Sequence, residues 1–168
     1  MRLLLSTLLL TVTLHMHAQD AFIEEFQQKW ENAATYTLEV AEKMPEEFYD
    51  FKPTEDQMSF AEQVLHLLRN MTWLSTGYLT EETYEVDWKG EYSKAAILEL
   101  INKTYAFAGK AAAGLSAKDL ETEVEFFAGP MSKRQILVLM NDHSTHHRGQ
   151  LLVYLRLKDV QPPRYRGW

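Results

Sequence analysis

The segment Ser59–Tyr78, SFAEQVLHLLRNMTWLSTGY, decides the fold. Its large apolar side chains recur at alternating spacings of four and three residues. This spacing places them along one side of an α-helix and predicts the buried seam of a helical bundle. Ser59 begins the helix as an N-cap, and Glu62, three residues later, completes a capping box. The seam consists of Phe60, Val64, Leu67, Met71, Leu74 and Tyr78.

Three further segments carry helical periodicity. The first ends at Pro45, the second ends where Gly114 permits a left-handed cap, and the third begins with a capping box from Ser132 to Gln135. They span residues 20–44, 93–114 and 132–157. The connections at 46–58, 80–92 and 116–131 are long for a bundle. The sequence therefore predicts an all-α fold, a four-helix bundle with long connecting loops, in one domain that covers residues 19–168.

The first 18 residues have the layout of a secretory signal peptide. Arg2 supplies a positive charge, residues 3–14 are apolar apart from Ser and Thr, and the small residue Ala18 follows. The apolar run is too short to span a bilayer as a helix. We therefore expect cleavage after Ala18, export to the periplasm or the medium, and no membrane span in the mature chain. An uncleaved anchor and an ordinary first helix are the alternatives. His15 and His17 fall in this segment and are set aside.

The chain of 168 residues contains no cysteine and carries a formal net charge of −7. The exported protein therefore has no disulfide, no thiolate metal ligand and no cysteine nucleophile. The acidic balance and the lack of a basic run argue against nucleic acid as a partner, because affinity for a phosphate backbone comes from clustered Lys and Arg. A small molecule is the expected partner.

Three of the four remaining histidines lie in residues 143–147, HSTHH. His143 and His147 are about one helical turn apart on the same face, so both rings can present a nitrogen to one ion. His66 lies beside the seam of the second helix, and a bundle can bring it opposite the pair. Three imidazoles leave coordination positions open for water or substrate, as a catalytic metal site requires. His143 with His146 is the alternative pair.

Other side chains on the same helical faces are candidates for supporting the ligands or for contacting a bound molecule. These are His146, Gln150 and Tyr154 on the fourth helix and Asn70 and Trp73 on the second. Gly149 would let a neighbouring helix approach closely beside the site, and Arg148 would pair with an acidic side chain. A tolerated glycine and a solvated charge are the alternatives.

Three stretches of the chain form recognisable motifs: YDFKPT at 49–54 followed by Ser59-Phe60 and His66, HSTHHRGQ at 143–150, and YLRL at 154–157 leading to VQPP at 160–163. Together they resemble the DinB-like family of metal-binding four-helix bundles, which includes bacillithiol-transferase-type and mycothiol-dependent members. The resemblance spans nearly all of the mature chain. It implies that His66, His143 and His147 are the metal ligands and that the protein forms homodimers.

The resemblance and the histidine spacing together predict one divalent transition metal, zinc or nickel ahead of iron, cobalt or copper. The main hypothesis is a metal-dependent thiol transferase or hydrolase, in which the ion binds a thiol or water at an open position and activates it. No side chain stands out as the general base. The alternatives are a non-catalytic envelope stress protein that binds metal or a small ligand, and a purely structural bundle. Better-understood relatives are cytosolic and use low-molecular-weight thiols, whereas this chain carries an export signal, so its substrate need not be a thiol.

Overall fold

The computed structural model describes the backbone of residues 2–90 and 92–168 and the side chains of residues 21–90 and 92–168. Its four long helices are α1 (Arg2–Lys43), α2 (Phe60–Leu74), α3 (Lys94–Ala113) and α5 (Lys133–Leu157). The short elements are a 3-10 turn (Glu46–Phe48), a π-helical turn after α2 (Ser75–Leu79), α4 (Ala117–Leu120), β1 (Glu123–Val124) and β2 (Met131–Ser132). The strands pair antiparallel as a small hairpin. The predicted all-α fold is confirmed.

The predicted signal peptide, residues 1–18, lies outside the residues whose side chains the structure describes, and its cleavage stays a prediction. α1 begins at Arg2, upstream of the start expected near Asp20, and it ends just before Pro45, as the sequence predicts. Within the described residues, no helix is long and apolar enough to cross a membrane.

Serine caps fix the starts of the two helices that carry the histidines. Ser59 accepts a hydrogen bond from the Glu62 amide, and the Glu62 carboxylate accepts one from the Ser59 amide. Ser132 and Gln135 repeat this arrangement at the start of α5. Both predicted capping boxes are therefore confirmed, and they satisfy backbone donors that a helix start leaves without partners. The left-handed cap expected at Gly114 is wrong, because Gly114 has φ −75° and continues a right-handed turn.

The long helices form a square in cross-section, in which α1 and α2 each pack against both α3 and α5. α2 runs antiparallel to α5, since Tyr154 meets Met58 near the start of α2 and Met140 meets Ser75 at its end. α1 runs parallel to α5, because Phe22 lies against Arg134 and Tyr36 against Arg148. These two relations place α5 between α1 and α2.

The long connection between α2 and α3 follows from their relative direction. α1 is antiparallel to α3, since Gln27 bonds Gly109 and Trp30 bonds Tyr105. α2 and α3 are consequently parallel neighbours, and the chain must return along the bundle before α3 begins. A helix the length of α3, 20 residues, is about 30 Å long, and a connection with the length of residues 80–92 can cover that distance.

The core is apolar along the bundle. The predicted seam of α2 is buried, except that Tyr78 is half-buried. Large side chains with almost no exposure include Met44, Phe60, Leu67, Leu68, Met71, Leu74, Ile97, Ile101, Ile136, Leu137 and Met140. Against this background, two buried polar side chains that face each other across α2 and α5, Gln63 and His147, mark the candidate site.

Candidate metal centre

Three imidazole rings meet between α2 and α5. His66 projects from the second turn of α2, and His143 and His147 project from successive turns of α5. One nitrogen from each ring lies within 4.8 Å of the others. The Nε2 atoms of His143 and His147 are 3.1 Å apart, and the ring centroids of His66 and His147 are 4.5 Å apart. The antiparallel packing of the two helices thus brings together the three residues singled out in the sequence.

The geometry fits a shared metal ion. An ion with metal–nitrogen distances of about 2.0–2.1 Å holds two ligand nitrogens about 2.9 Å apart at a right angle and about 3.3 Å apart at the tetrahedral angle. The 3.1 Å between the Nε2 atoms of His143 and His147 falls between these values. Nitrogen donors suit a divalent transition metal, whereas calcium and magnesium prefer oxygen. The three rings could therefore hold one such ion.

Burial keeps the three rings neutral at neutral pH. Desolvation lowers the pKa of His143 to about 4 and that of His147 to about 3, and repulsion from the neighbouring rings adds to both shifts. Desolvation also lowers the pKa of His66, with a smaller contribution from the Arg69 guanidinium. A neutral ring offers the lone pair that a metal ion needs, so binding near neutral pH does not have to displace a proton from an imidazolium.

A chain of side-chain amides lies behind His147. Gln63, fully buried on α2, places its amide nitrogen 2.6 Å from His147 Nδ1 and 2.7 Å from the amide oxygen of Gln150. The amide nitrogen of Gln150 lies 2.8 Å from His146 Nε2. The sequence pointed to His146 and Gln150 but missed Gln63. The available signal was its place three residues after Phe60, which puts a polar side chain on the seam face of α2.

The remaining sequence candidates make contacts of other kinds. The Tyr154 hydroxyl donates to the backbone carbonyl of Met58 at 2.8 Å. The Asn70 side-chain oxygen is buried and has no hydrogen-bond partner among the described residues. Trp73 packs in an aromatic cluster with Tyr78, Phe126 and Phe127. A role at the site for Tyr154, Asn70 or Trp73 stays a prediction.

A cleft opens beside the three rings. It has a volume of about 240 Å³ and is lined by Met58, Glu62, Leu65, His66, Arg69 and Trp88. A larger groove of about 770 Å³, along residues 76–85, contains none of the three histidines. Because His66 belongs to both the ring cluster and the smaller cleft, a molecule in that cleft lies next to the candidate metal centre.

Two expectations for α5 are wrong. Arg148 is 4% exposed, and it donates to the hydroxyls of Thr37, Ser144 and Thr145 rather than to any described carboxylate. Thr37 lies on α1, which this part of α5 faces, and Ser144 and Thr145 lie about one turn earlier on α5 itself. Gly149 lies on the exposed side of α5, and a Cβ added there would meet nothing within 4 Å. No described helix approaches it.

The fold and the rings together define a helical bundle with a three-histidine centre. The chain belongs to the DinB superfamily, whose sequence model matches residues 29–151. The matched stretch contains α2 and most of α5, and therefore His66, His143 and His147. The family membership inferred from the sequence motifs is confirmed, while the metal binding and the homodimer that it implies stay predictions.

Individual relatives agree with this assignment. The chain is 30% identical over 124 residues to the uncharacterized protein YjoA of Bacillus subtilis, covering 71% of this chain and 80% of YjoA. Its fold is similar to the crystal structure of a DinB-like protein from Bacillus cereus, with a TM-score of 0.73, 22% identity, and coverage of 84% of this chain and 96% of that one. The crystal structure of YjoA gives a TM-score of 0.72 and 22% identity over 86% of this chain and 99% of YjoA. Structural likeness at these identities shows the fold.

Proposed function

We propose that the protein is an exported metal-dependent enzyme, a transferase or a hydrolase, that holds one divalent transition metal between His66, His143 and His147. The observation that carries this proposal is the meeting of three neutral ring nitrogens within 4.8 Å of one another, beside a cleft that His66 also lines. A closed structural site would have no such neighbouring space. An accessible one suits a centre that receives a substrate.

One set of residues would hold the ion, and another would line the space for the substrate. When bound, such an ion supplies Lewis-acid chemistry, which lowers the pKa of a thiol or a water and so produces a nucleophile near neutral pH. α5 fixes His143 and His147, and the capped start of α2 fixes His66. In the cleft, Leu65 and Trp88 offer an apolar wall, and Arg69 adds a positive charge.

We propose zinc or nickel as the ion, ahead of iron, cobalt or copper. Three neutral imidazoles bind all of these divalent metals, and no thiolate is present to select a softer one. The substrate is a small molecule, with a thiol as one candidate class. Nucleic acid is not an expected partner, given the acidic chain.

A second candidate function is a non-catalytic envelope protein that binds metal or a small ligand. This candidate is favoured because Glu62, the carboxylate that lines the cleft, is a poor general base. Glu62 accepts a hydrogen bond from the Ser59 amide at 2.6 Å and pairs with Lys52 at 3.2 Å, and these partners lower its pKa. A carboxylate stabilised in its charged form is a weak proton acceptor, which makes Glu62 a poor general base.

Elemental analysis of protein purified from its native source tests the metal site. We expect about one metal ion per chain in the wild type, loss of the ion in His143→Ala/His147→Ala, and retention in His146→Ala. The last variant is a matched control because it removes a neighbouring imidazole from the same helix. Absence of metal from the wild-type protein, with unchanged helicity and melting in the double variant, would contradict the proposal.

Activity, location and assembly are tested separately. Metal-loaded protein should show turnover in a panel of thiol-transfer and hydrolysis reactions that the double variant lacks; tight metal occupancy without turnover would favour the binding protein. Cell fractionation with mass spectrometry should find a mature chain that begins at Gln19 outside the cytosol. Light scattering should give the mass of a homodimer, the assembly that the family resemblance implies.

A further inference from the structure

Gln63 is a buried polar residue that touches the candidate centre without belonging to the three ligands. It is fully buried, and its amide nitrogen lies between His147 and Gln150. Its amide oxygen is also buried and has no hydrogen-bond partner among the described residues. We propose that Gln63 is a positioning residue whose amide turns over when metal binds, so that its oxygen accepts a hydrogen bond from His147. This inference rests on the proposed metal site.

The observed hydrogen bonds are mutually consistent for one tautomer of His147. The Gln63 amide nitrogen can only donate, so His147 Nδ1, 2.6 Å away, accepts. The proton of His147 then sits on Nε2, from which it can be donated to His143 Nε2 at 3.1 Å. Gln63 also donates to the Gln150 oxygen at 2.7 Å, and Gln150 donates to His146 Nε2 at 2.8 Å. Each donor in this chain faces an acceptor.

A metal ion between the rings requires the opposite tautomer of His147. His147 faces His143 through Nε2, so Nε2 is the nitrogen that a shared ion would use, and the ring proton must then sit on Nδ1. An Nδ1–H group cannot donate to the amide nitrogen of Gln63. Turning the amide over replaces that nitrogen with the oxygen, and the two ends of the amide occupy nearly the same space.

The reversal continues to the protein surface. Once the Gln63 oxygen faces Gln150, Gln150 must present its own amide nitrogen, and its oxygen then faces His146 Nε2, which must carry a proton. All the hydrogen bonds in the chain change direction, and each pair again joins a donor to an acceptor. The far end of the Gln63 amide is buried without a described partner, and turning the amide over exchanges one unpaired carbonyl oxygen there for two unpaired N–H donors. That exchange costs free energy, which favours the observed orientation until the binding of an ion to His147 outweighs it. His146, which is exposed, thus ends a chain whose direction depends on the ion.

Substitutions at Gln63 separate this role from simple packing. Gln63→Met keeps the length of the side chain but removes the acceptor for His147. We expect the dissociation constants for Zn²⁺ and Co²⁺ to rise about 10- to 100-fold, as is usual when such a partner of a ligating histidine is lost. Gln63→Glu offers an oxygen in both orientations and should keep the wild-type affinity or exceed it. Gln28→Met, at an exposed position of α1, is the matched control and should change nothing.

Nitrogen NMR of the labelled full chain observes the tautomer directly. We expect His147 to carry its proton on Nε2 in metal-free protein and on Nδ1 in Zn²⁺-loaded protein, with a shift of the Gln63 side-chain amide signals between the two. The tautomer change follows from metal binding itself, whereas a merely structural role for Gln63 would leave its side-chain amide signals unaffected by metal. This measurement needs only the wild-type protein, so it stands even where Gln63→Met fails to fold.

The outcomes distinguish the inference from the proposed function. Wild-type metal affinity in a folded Gln63→Met variant, loss of affinity in a folded Gln63→Glu variant, or Gln63 amide signals that Zn²⁺ leaves unchanged would overturn the inference and leave the three-histidine site standing. An Nε2 proton on His147 in the Zn²⁺-loaded protein would remove His147 from the ligands and so overturn the three-histidine site as well. A wild-type protein that binds neither ion would overturn the proposed function itself.

Discussion

The hydroxyl of Tyr154 donates to the backbone carbonyl of Met58, just before the start of α2, although the residue shares a helical face with the ligands. Tyr154→Phe should therefore cost about 1–1.5 kcal/mol of stability, because it leaves a part-buried carbonyl without its donor. Metal content should not change. Urea unfolding and elemental analysis check the two halves of this prediction.

Tyr92→Phe is the control for that substitution, since its hydroxyl donates to the carbonyl of Asp87 at an exposed site where water can replace it. We expect no measurable loss of stability there. Loss of metal from Tyr154→Phe would instead support the role beside the ligands that its position in the sequence suggests.

The spacing of His143 and His147 is local, and for this reason the sequence alone could predict that they share a face. His66 needed the family resemblance, because only the packing of α2 on α5 decides which side chain lies opposite the pair. Gln63 escaped prediction for the same reason. Its isolated position resembles that of any polar residue in a helix, and its burial against His147 arises only in the folded bundle.

At the scale of helices, the capping box of α2 links stability to pH. The pKa of Glu62 is lowered by two partners that favour the charged carboxylate: the hydrogen bond from the Ser59 amide makes the larger contribution, and Lys52 makes the next. Glu62→Gln keeps an acceptor for the Ser59 amide but removes the charge at the helix start, which should cost about 0.3–1 kcal/mol at pH 7. Urea unfolding of both proteins measures this difference.

The sign of the pH effect follows from the direction of the shift. A carboxylate whose pKa is lowered in the folded state stabilises the protein above its unfolded value, and that contribution is lost as pH falls through the folded value. The difference between wild type and Glu62→Gln should therefore shrink below about pH 4.5. A difference that stays constant down to pH 3 would contradict the assignment.

Two glycines inside long helices should respond to alanine with opposite signs. A Cβ at Gly109 would lie 3.1 Å from Cδ1 of Trp30, whose ring is buried and held by a hydrogen bond to the Tyr105 carbonyl. Gly109→Ala should therefore lose about 1 kcal/mol net, as crowding outweighs helix propensity. Gly149→Ala meets open space and should gain up to about 1 kcal/mol. Changes in unfolding free energy, relative to wild type, that have the same sign in the two variants would contradict this account.

The long helices could be predicted because apolar seams and serine caps depend only on residues that are close together in the sequence, as at Ser59 and Ser132. Their relative directions could not, since α2 and α3 run parallel only as a result of how all four pack. The β1–β2 hairpin was missed because its strands are two residues each, too short for an alternating pattern. The expectation for Gly149 was wrong because a glycine inside a helix either lets a neighbouring helix pack closely or is simply tolerated there, and the sequence alone does not separate the two cases.

For the molecule as a whole, a metal ion would join α2 to α5. Zn²⁺ at 100 times its dissociation constant should raise the unfolding free energy by up to about 2.7 kcal/mol. A chelator should reverse the gain, and His143→Ala/His147→Ala should show none of it. Thermal unfolding with and without chelator measures this effect; an equal gain in the double variant would place the binding elsewhere.

The spacing of the ligands also governs what metal does to a chain that has not yet folded. His143 and His147 stay four residues apart in any conformation, so a denatured chain keeps a two-nitrogen chelate, whereas His66 joins only in the assembled bundle. Affinity for the denatured chain subtracts from the stabilisation of the folded one. The amount by which the measured stabilisation falls short of about 2.7 kcal/mol would therefore measure how strongly the unfolded chain binds metal before α2 and α5 pack together.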